Sequence, residues 1–208
     1  MDSHKKVKAV VFDLGNVLVD FNHLFAARRL QDLCDFTVQE IYNLFFDSEL
    51  TCLFEEGKIS PKSFFERVKQ ILNLKITYKE FLSIWNEIFF LTPKNKEVYQ
   101  IAKKLKENYC VCLASNINIL HFEYLKNNFN VFNIFDHIFL SYKLKTRKPA
   151  DSFYRHILEK LSLKGEEVFY TDDRLELVES AKKLKIRGLV FLSVDKLKDD
   201  LISSGIII

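Results

Sequence analysis

Beyond Pro93 the chain alternates between helix-like spacing of apolar residues and short β-rich apolar runs. The segments are EVYQIAKKLKE, YCVCLAS, a helical stretch from Ile119 to Asn127, HIFLS, SFYRHILEKL, EVFYTD, ELVESAKKLK and RGLVFL. Alternation of this kind predicts right-handed crossovers and a doubly wound parallel sheet covered by helices on both faces. A further strand of that sheet lies near the other end of the chain, in KAVVFDLGNVLVD from Lys8 to Asp20. Between them, from Leu24 to Phe90, the apolar residues of LFAARRLQDLC, VQEIYNLFF, SFFERVKQIL and YKEFLSIWNEIFF recur at helical spacing. A strand cut off from its sheet by a helical block makes that block an insertion. It should lie over the strand ends, where open α/β sheets bind ligands. The expected division is a core of residues 1–20 and 91–208 with a helical cap of residues 21–90. Within the cap, Trp85, Phe64, Phe65, Phe89 and Phe90 are expected to form helix–helix core rather than a substrate cage.

Each predicted core strand delivers polar residues at its carboxyl end. In KAVVFDLGN the apolar run stops at Asp13 and breaks into Leu14-Gly15-Asn16, which suits a nucleophile, a metal ligand or a plain Asp turn. YCVCLASN ends in Ser115 and Asn116, whose hydroxyl and amide, ahead of helix N–H groups, suit a phosphate oxygen, although Ser115 also fits an N-cap. KTRKP sets Lys148 before a proline that biases it toward extended backbone. EVFYTDDR ends in Asp172 and Asp173, two adjacent carboxylates whose repulsion a hard cation would relieve; helix capping is the alternative.

Composition sets limits. A chain of 208 residues can bury a core and carry an insertion, and its net charge of +3, with Lys and Arg dispersed among Asp and Glu, offers no basic tract for nucleic acid or a membrane surface. The amino-terminal apolar segment is short and runs straight into Asp13, so it is expected to be a core strand rather than a signal peptide or membrane span. Cys34, Cys52, Cys110 and Cys112 make no metal-ligand pattern and are expected to be thiols of a reducing cytoplasm.

Taken in order, FDLGNVLVDF, EEGKIS, SNIN, RKPADSFY and DD resemble the haloacid dehalogenase-like (HAD) hydrolase superfamily across nearly the whole chain. Within it they are most similar to the bacterial sugar-phosphate phosphatase branch typified by α-D-glucose-1-phosphate phosphatase. The resemblance implies a Rossmann-like core with a helical cap and a Mg²⁺-dependent phosphatase that acts on a small phosphorylated metabolite, a sugar phosphate such as glucose 1-phosphate. It implies Asp13 as nucleophile, Ser115 and Asn116 as phosphate binders with Lys148 neutralising charge, and Asp13, Gly15 (through its carbonyl), Asp172 and Asp173 as Mg²⁺ ligands. A non-catalytic binding protein and a metal-free haloacid dehalogenase are the rival readings; the carboxylate pair argues against the second.

Two positions depart from the family pattern. Most phosphatases of this family carry a second Asp two residues after the nucleophile as general acid and base, where this chain has Gly15. General acid–base help is worth about 10²–10⁴-fold, so its loss favours esters with acidic leaving groups, among them sugar 1-phosphates. Leu177 stands where close relatives carry Asn. His23, at the entrance to the insertion, is expected to be a surface or hinge histidine, with a substitute proton donor as the alternative. His4, His121, His137 and His156 lie at no ligand spacing. Arg147 and Lys145 either add to an anion-attracting field or are solvated loop charges, and Arg174 balances the carboxylate pair.

Overall fold

The computed structural model describes residues 6–46 and 48–208; His4 lies outside them. Strand β1 (Ala9–Phe12) is the centre of a five-stranded sheet. The chain then forms β2 (Asp20–Phe21), five helices and β3 (Phe89–Phe90) before it returns to the sheet. Those helices are α1 (His23–Gln31), α2 (Val38–Phe45), α3 (Glu49–Glu55), α4 (Pro61–Ile71) and α5 (Tyr78–Asn86). From there α6 (Pro93–Leu105), β4 (Cys110–Ser115), α7 (Ile119–Asn128), β5 (His137–Leu140), α8 (Ser141–Leu144), α9 (Asp151–Leu161), β6 (Val168–Asp172), α10 (Leu175–Lys183), β7 (Arg187–Val190) and α11 (Val194–Ser203) complete the chain. The strand order is β5-β4-β1-β6-β7, and every neighbouring pair is parallel. With β1 central, successive connections run out to one edge and then to the other. The carboxyl ends of β4, β1 and β6 therefore meet at the place where the order reverses, the usual ligand crevice of such sheets.

The five helices between β2 and β3 have their own apolar centre. Trp85 packs edge-on against Phe45 with ring centroids 4.9 Å apart, Phe54 stacks on Phe64 at 4.3 Å, and Ala26, Leu30, Ile41, Val68 and Phe81 fill the remainder. Their ends carry ordinary stops: Thr37 and Thr77 form capping boxes with Glu40 and Glu80, and Ser60 caps α4 ahead of Pro61. Antiparallel pairing of Asp20 with Phe90 and of Phe21 with Phe89 closes the block where it leaves and rejoins the core.

Helical spacing alone extended the last cap helix through Phe90; instead α5 stops at Asn86 and Phe89-Phe90 pair as β3. Periodicity cannot tell a buried helical turn from a two-residue strand whose partner lies far away in sequence. Helices α3 and α8 are too short for periodicity to mark them, whereas α11 carries Val194, Leu197 and Leu201 at helical spacing and adds a helix beyond the alternation read from the sequence.

Helix α3 and the turn after it seat the cap on the core. Gly57 has a φ of 60°, and a Cβ there would lie 2.4 Å from the Tyr142 carbonyl oxygen, so only glycine allows this approach. The Gly57 carbonyl accepts from Lys145 at 2.6 Å, and Ser141 Oγ donates to the Glu55 carbonyl at 2.6 Å. His121 on α7 stacks on Trp85 with centroids 4.7 Å apart, and its Nε2 lies 3.0 Å from the Trp85 carbonyl.

Candidate functional site

The expected strand-end residues converge. Asp13 follows β1, Ser115 ends β4, Lys148 lies in the loop between α8 and α9, and Asp172 ends β6 with Asp173 beside it. All of them line one cavity of about 230 Å³ between core and cap. Lys148 is 1% exposed, and its ammonium donates to Asp13 Oδ1 at 2.5 Å, to Asp172 Oδ2 at 2.6 Å, and to the Ala114 carbonyl and Tyr170 hydroxyl at 3.1 Å each. A buried charge without such partners would be very costly. Burial by itself would lower the Lys148 pKa, but Asp13 and Asp172 overcome it and hold the ammonium charged, above its ordinary range.

Asp13 behaves in the opposite way. Desolvation dominates, Lys148 opposes it, and the neighbouring carboxylates add to it, so its pKa is pushed up to about 7. Asp173 is raised for the same leading reason, against the hydrogen bond that Asn16 Nδ2 donates to its Oδ2 at 2.9 Å. One carboxylate oxygen from each of Asp13, Asp172 and Asp173 lies within 4.8 Å of the others. Three carboxylates around one ammonium leave an excess of negative charge in a desolvated place. Oxygen donors at that separation fit a small hard divalent cation, which would relieve the repulsion that lifts Asp13 and Asp173. The carbonyl-bearing Gly15 lines the same cavity.

Neither Asp172 nor Asp173 caps a helix. Arg174 occupies the N-cap position of α10 with no side-chain cap bond, and Asp172 Oδ1 accepts from the Arg174 N–H at 3.0 Å. Nor is Ser115 an N-cap; Asn118 holds that place on α7 by accepting from the His121 N–H at 3.0 Å. The Asn116 amide is partly engaged. Its Oδ1 accepts from the Lys148 N–H and its Nδ2 donates to the Lys148 carbonyl, both at 2.8 Å, which latches the Lys148 loop to the end of β4. The second amide hydrogen is the one a ligand oxygen can take.

Several residues at or beside the cavity carry no signal of their own in the sequence. Asn16 positions Asp173, and a left-handed φ of 56° in the Leu14-Gly15-Asn16 turn is its only local signal. Tyr170 donates to Asp172 Oδ2 and receives from Lys148; two residues before Asp172 on the same strand, it shares that residue's face. Phe21, Phe45 and Phe46 line the cavity as well, whereas Phe64, Phe65 and Trp85 are buried in the cap as expected; of the aromatics named beforehand, Phe89 reaches the cavity. Leu177 adds a buried apolar side chain there. His23 is no surface residue: it begins α1 beside the β2–β3 connection and faces the cavity, and burial lowers its pKa to about 4. Arg147 lines the cavity and pairs with Glu55 at 3.1 Å, Lys145 holds the Gly57 carbonyl, and Arg174 pairs with Glu176 at 2.6 Å.

Residues 7–185 match the haloacid dehalogenase-like hydrolase family. The chain belongs to this family. Among its relatives, the sesquiterpene phosphatase astK of Aspergillus oryzae is 27% identical over 184 residues, 88% of either chain. The D-ribitol-5-phosphate phosphatase of Bacteroides thetaiotaomicron is 24% identical over 188 residues, 86% of this chain and 88% of its own. A HAD family enzyme from Bacteroides thetaiotaomicron, solved in complex with magnesium and inorganic phosphate, superimposes with a TM-score of 0.79 at 24% identity, over 90% of this chain and 96% of that one. This HAD hydrolase thus has the parallel core of its family, and no helix among its described residues is long and apolar enough to cross a membrane.

Proposed function

We propose that the protein is a Mg²⁺-dependent phosphatase that hydrolyses a small phosphate monoester through an aspartyl-phosphate on Asp13. One observation carries the reading: Asp13 and Asp172 bracket the buried Lys148 ammonium at the floor of a cavity, and Asp173 joins them with a carboxylate oxygen of each within 4.8 Å of the others. A haloacid dehalogenase working without metal has no use for the third carboxylate.

Asp13, the Gly15 carbonyl and Asp173, with Asp172 in support, would hold Mg²⁺, which shields the phosphate dianion and keeps Asp13 ionised. Lys148, already fixed on Asp13 Oδ1, leaves the other Asp13 oxygen to attack phosphorus. The Ser115 hydroxyl and the remaining Asn116 N–H hold phosphoryl oxygens as charge shifts between them, since positioning and electrostatics dominate phosphoryl transfer. The Asp13–phosphorus bond forms as the bond from phosphorus to the ester oxygen breaks. The departing oxygen takes its proton from water, since Gly15 has none to give. A water molecule then attacks phosphorus, and inorganic phosphate and the free Asp13 carboxylate are restored.

The sequence motifs favour a sugar phosphate such as glucose 1-phosphate, and the missing acid agrees because an anomeric oxygen leaves readily. The named relatives divide between a sesquiterpene and a sugar-alcohol phosphate. On this reading the partner is a small phosphorylated metabolite and the setting a reducing cytoplasm, which suits four cysteines that form no disulfide. Assay against a panel of phosphate esters, with Mg²⁺ and with EDTA, tests the reading. Mg²⁺-dependent release of phosphate, with transient labelling of wild type but not of Asp13→Asn, is expected; no release from any ester would favour the non-catalytic binding protein.

A further inference from the structure

The part of the cavity that would hold the alcohol is unlike its floor. Phe21, Phe45, Phe46, Ile88 and Phe89 form its wall. This wall begins at the reacting atoms. A Cβ at Gly15 would lie 2.8 Å from Phe21 Cε1 and 3.7 Å from Asp13 Oδ2, so the Phe21 ring occupies space beside the nucleophile that a side chain at that position would need. At the outer lip Phe46 is 40% exposed although large and apolar; its ring stacks on Tyr42 at 5.7 Å, and the Arg174 guanidinium lies 5.8 Å from it. An exposed aromatic that continues a buried aromatic wall is a surface waiting for an apolar partner.

The polar groups beside this wall are already engaged. Glu55 pairs with Arg147 at 3.1 Å, and the two His121 ring nitrogens meet the Asn118 amide at 3.1 Å and the Trp85 carbonyl at 3.0 Å. His23 Nδ1 is buried without a hydrogen-bond partner, and its ring sits edge-on to Phe21 with centroids 5.1 Å apart. A sugar would bury several hydroxyls against this aromatic wall, and each hydroxyl without a partner weakens binding. A hydrocarbon group brings no hydroxyl that needs a partner, and every buried methylene strengthens binding about fourfold.

We propose that the substrate's leaving group is apolar: an aryl or extended hydrocarbon alcohol seated on Phe21, Phe45, Phe46, Ile88 and Phe89, with its phosphate on the carboxylate floor. The inference rests on the phosphatase reading and narrows it from any small phosphate ester to those of apolar alcohols. It reverses the preference for sugars that the floor motifs carry, because those motifs touch phosphate and not alcohol.

The test uses the full chain with Mg²⁺, on butyl, hexyl and octyl phosphates, glucose 1-phosphate and acetyl phosphate. The three alkyl esters have closely similar leaving-group acidity, so differences among them report the wall alone. kcat/KM is expected to rise at least tenfold from butyl to octyl phosphate and to exceed that for glucose 1-phosphate, despite the better sugar leaving group. Phe46→Asn, at the exposed lip, should cut the octyl-to-butyl ratio at least fivefold. Acetyl phosphate separates the two failures. If neither it nor any other ester is hydrolysed, the phosphatase reading is overturned. If acetyl phosphate is hydrolysed while the alkyl series is flat or glucose 1-phosphate is preferred, the apolar assignment is overturned and phosphatase activity stands. Calorimetry on Asp13→Asn gives a readout without turnover: octyl phosphate should bind more tightly than butyl phosphate, with a more negative heat-capacity change. Equal affinities would overturn the assignment.

Discussion

The floor and the wall of one cavity are built on opposite principles. The core supplies the floor, where Lys148, Asp13, Asp172 and Tyr170 are buried, charged or polar, and bonded to one another from three separate places in the chain: the end of β1, the loop before α9 and strand β6. The cap and its connection supply most of the wall, whose rings make few directional demands. Fixed charges in a desolvated place cannot move without losing partners, so on the proposed function the floor would set the reaction. Apolar contacts tolerate variation in what fills them, so on the proposal above the wall would set what the reaction is performed on. A change in the floor should therefore abolish chemistry, and a change in the wall should re-rank substrates.

The largest effect is expected at Asp13. Asp13→Asn keeps the shape and loses the nucleophile, so phosphate release should fall by at least about 10³-fold while the circular dichroism spectrum is unchanged. More than a tenth of wild-type turnover would remove Asp13 from the role. Next comes Lys148→Met, which strands two buried carboxylates. Removing one partner of a buried ion pair costs about 3–5 kcal/mol, so chemical denaturation should show that loss alongside lost activity. A variant as stable as wild type would mean that the floor is not held together by its charges.

Asn16→Gly tests how far the floor depends on its supports. Glycine accepts the left-handed φ of 56° but releases Asp173. Loss of such a supporting bond typically costs about 10–100-fold in metal affinity, so the Mg²⁺ concentration for half-maximal activity should rise by that order. An unchanged Mg²⁺ titration would show that Asp173 needs no positioning.

Acid should act on the other side of the comparison. Burial lowers the pKa of His23 to about 4 and that of His121, also near His23, to about 3. Both are depressed below the ordinary histidine value of about 6.5, so the unfolded chain binds their protons first. Their contribution is complete above about pH 6.5 and declines as pH falls toward 4. Thermal melts over that range should show the decline, and His121→Gln should flatten it. If the slope is the same in the variant, other groups cause it.

The smallest effect is expected at the seam. Gly15→Asp installs the family's usual acid but drives a Cβ to 2.8 Å from the Phe21 ring. Overpacking of that kind costs about 1–3 kcal/mol, and the dependence of kcat/KM on leaving-group acidity should stay steep. Gly15→Asp with Phe21→Ala makes room for the acid and should flatten that dependence. A steep dependence in the well-folded double variant would point to His23 as the first alternative donor to test.

The floor was legible in advance because each of its parts is a local event. A β-rich run followed by a carboxylate, a hydroxyl or a lysine marks a strand end, and the parallel order brings strand ends together whatever the loops between them do. Asp13, Ser115, Lys148 and the Asp172-Asp173 pair are therefore marked by their own neighbours in the chain, as is the alternation that follows Pro93. The cap was legible as helices but not as a surface. VQEIYNLFF marks α2 well enough, yet nothing in its spacing says that Phe45 and Phe46 line the cavity while Phe64 of α4 does not.

What the sequence determined by itself was thus the sheet, the inserted helical block and the identity of the charged groups, because propensity, periodicity and strand-end chemistry act over a few neighbouring residues. Tertiary structure alone decided that Asn16 bonds Asp173 across 157 positions, that the Asn116 amide latches the Lys148 loop, and that Phe21 fills the space left open by Gly15. Those contacts depend on how helices are rotated and how distant loops are packed. Such packing is a property of the whole molecule, and no short stretch of chain encodes it.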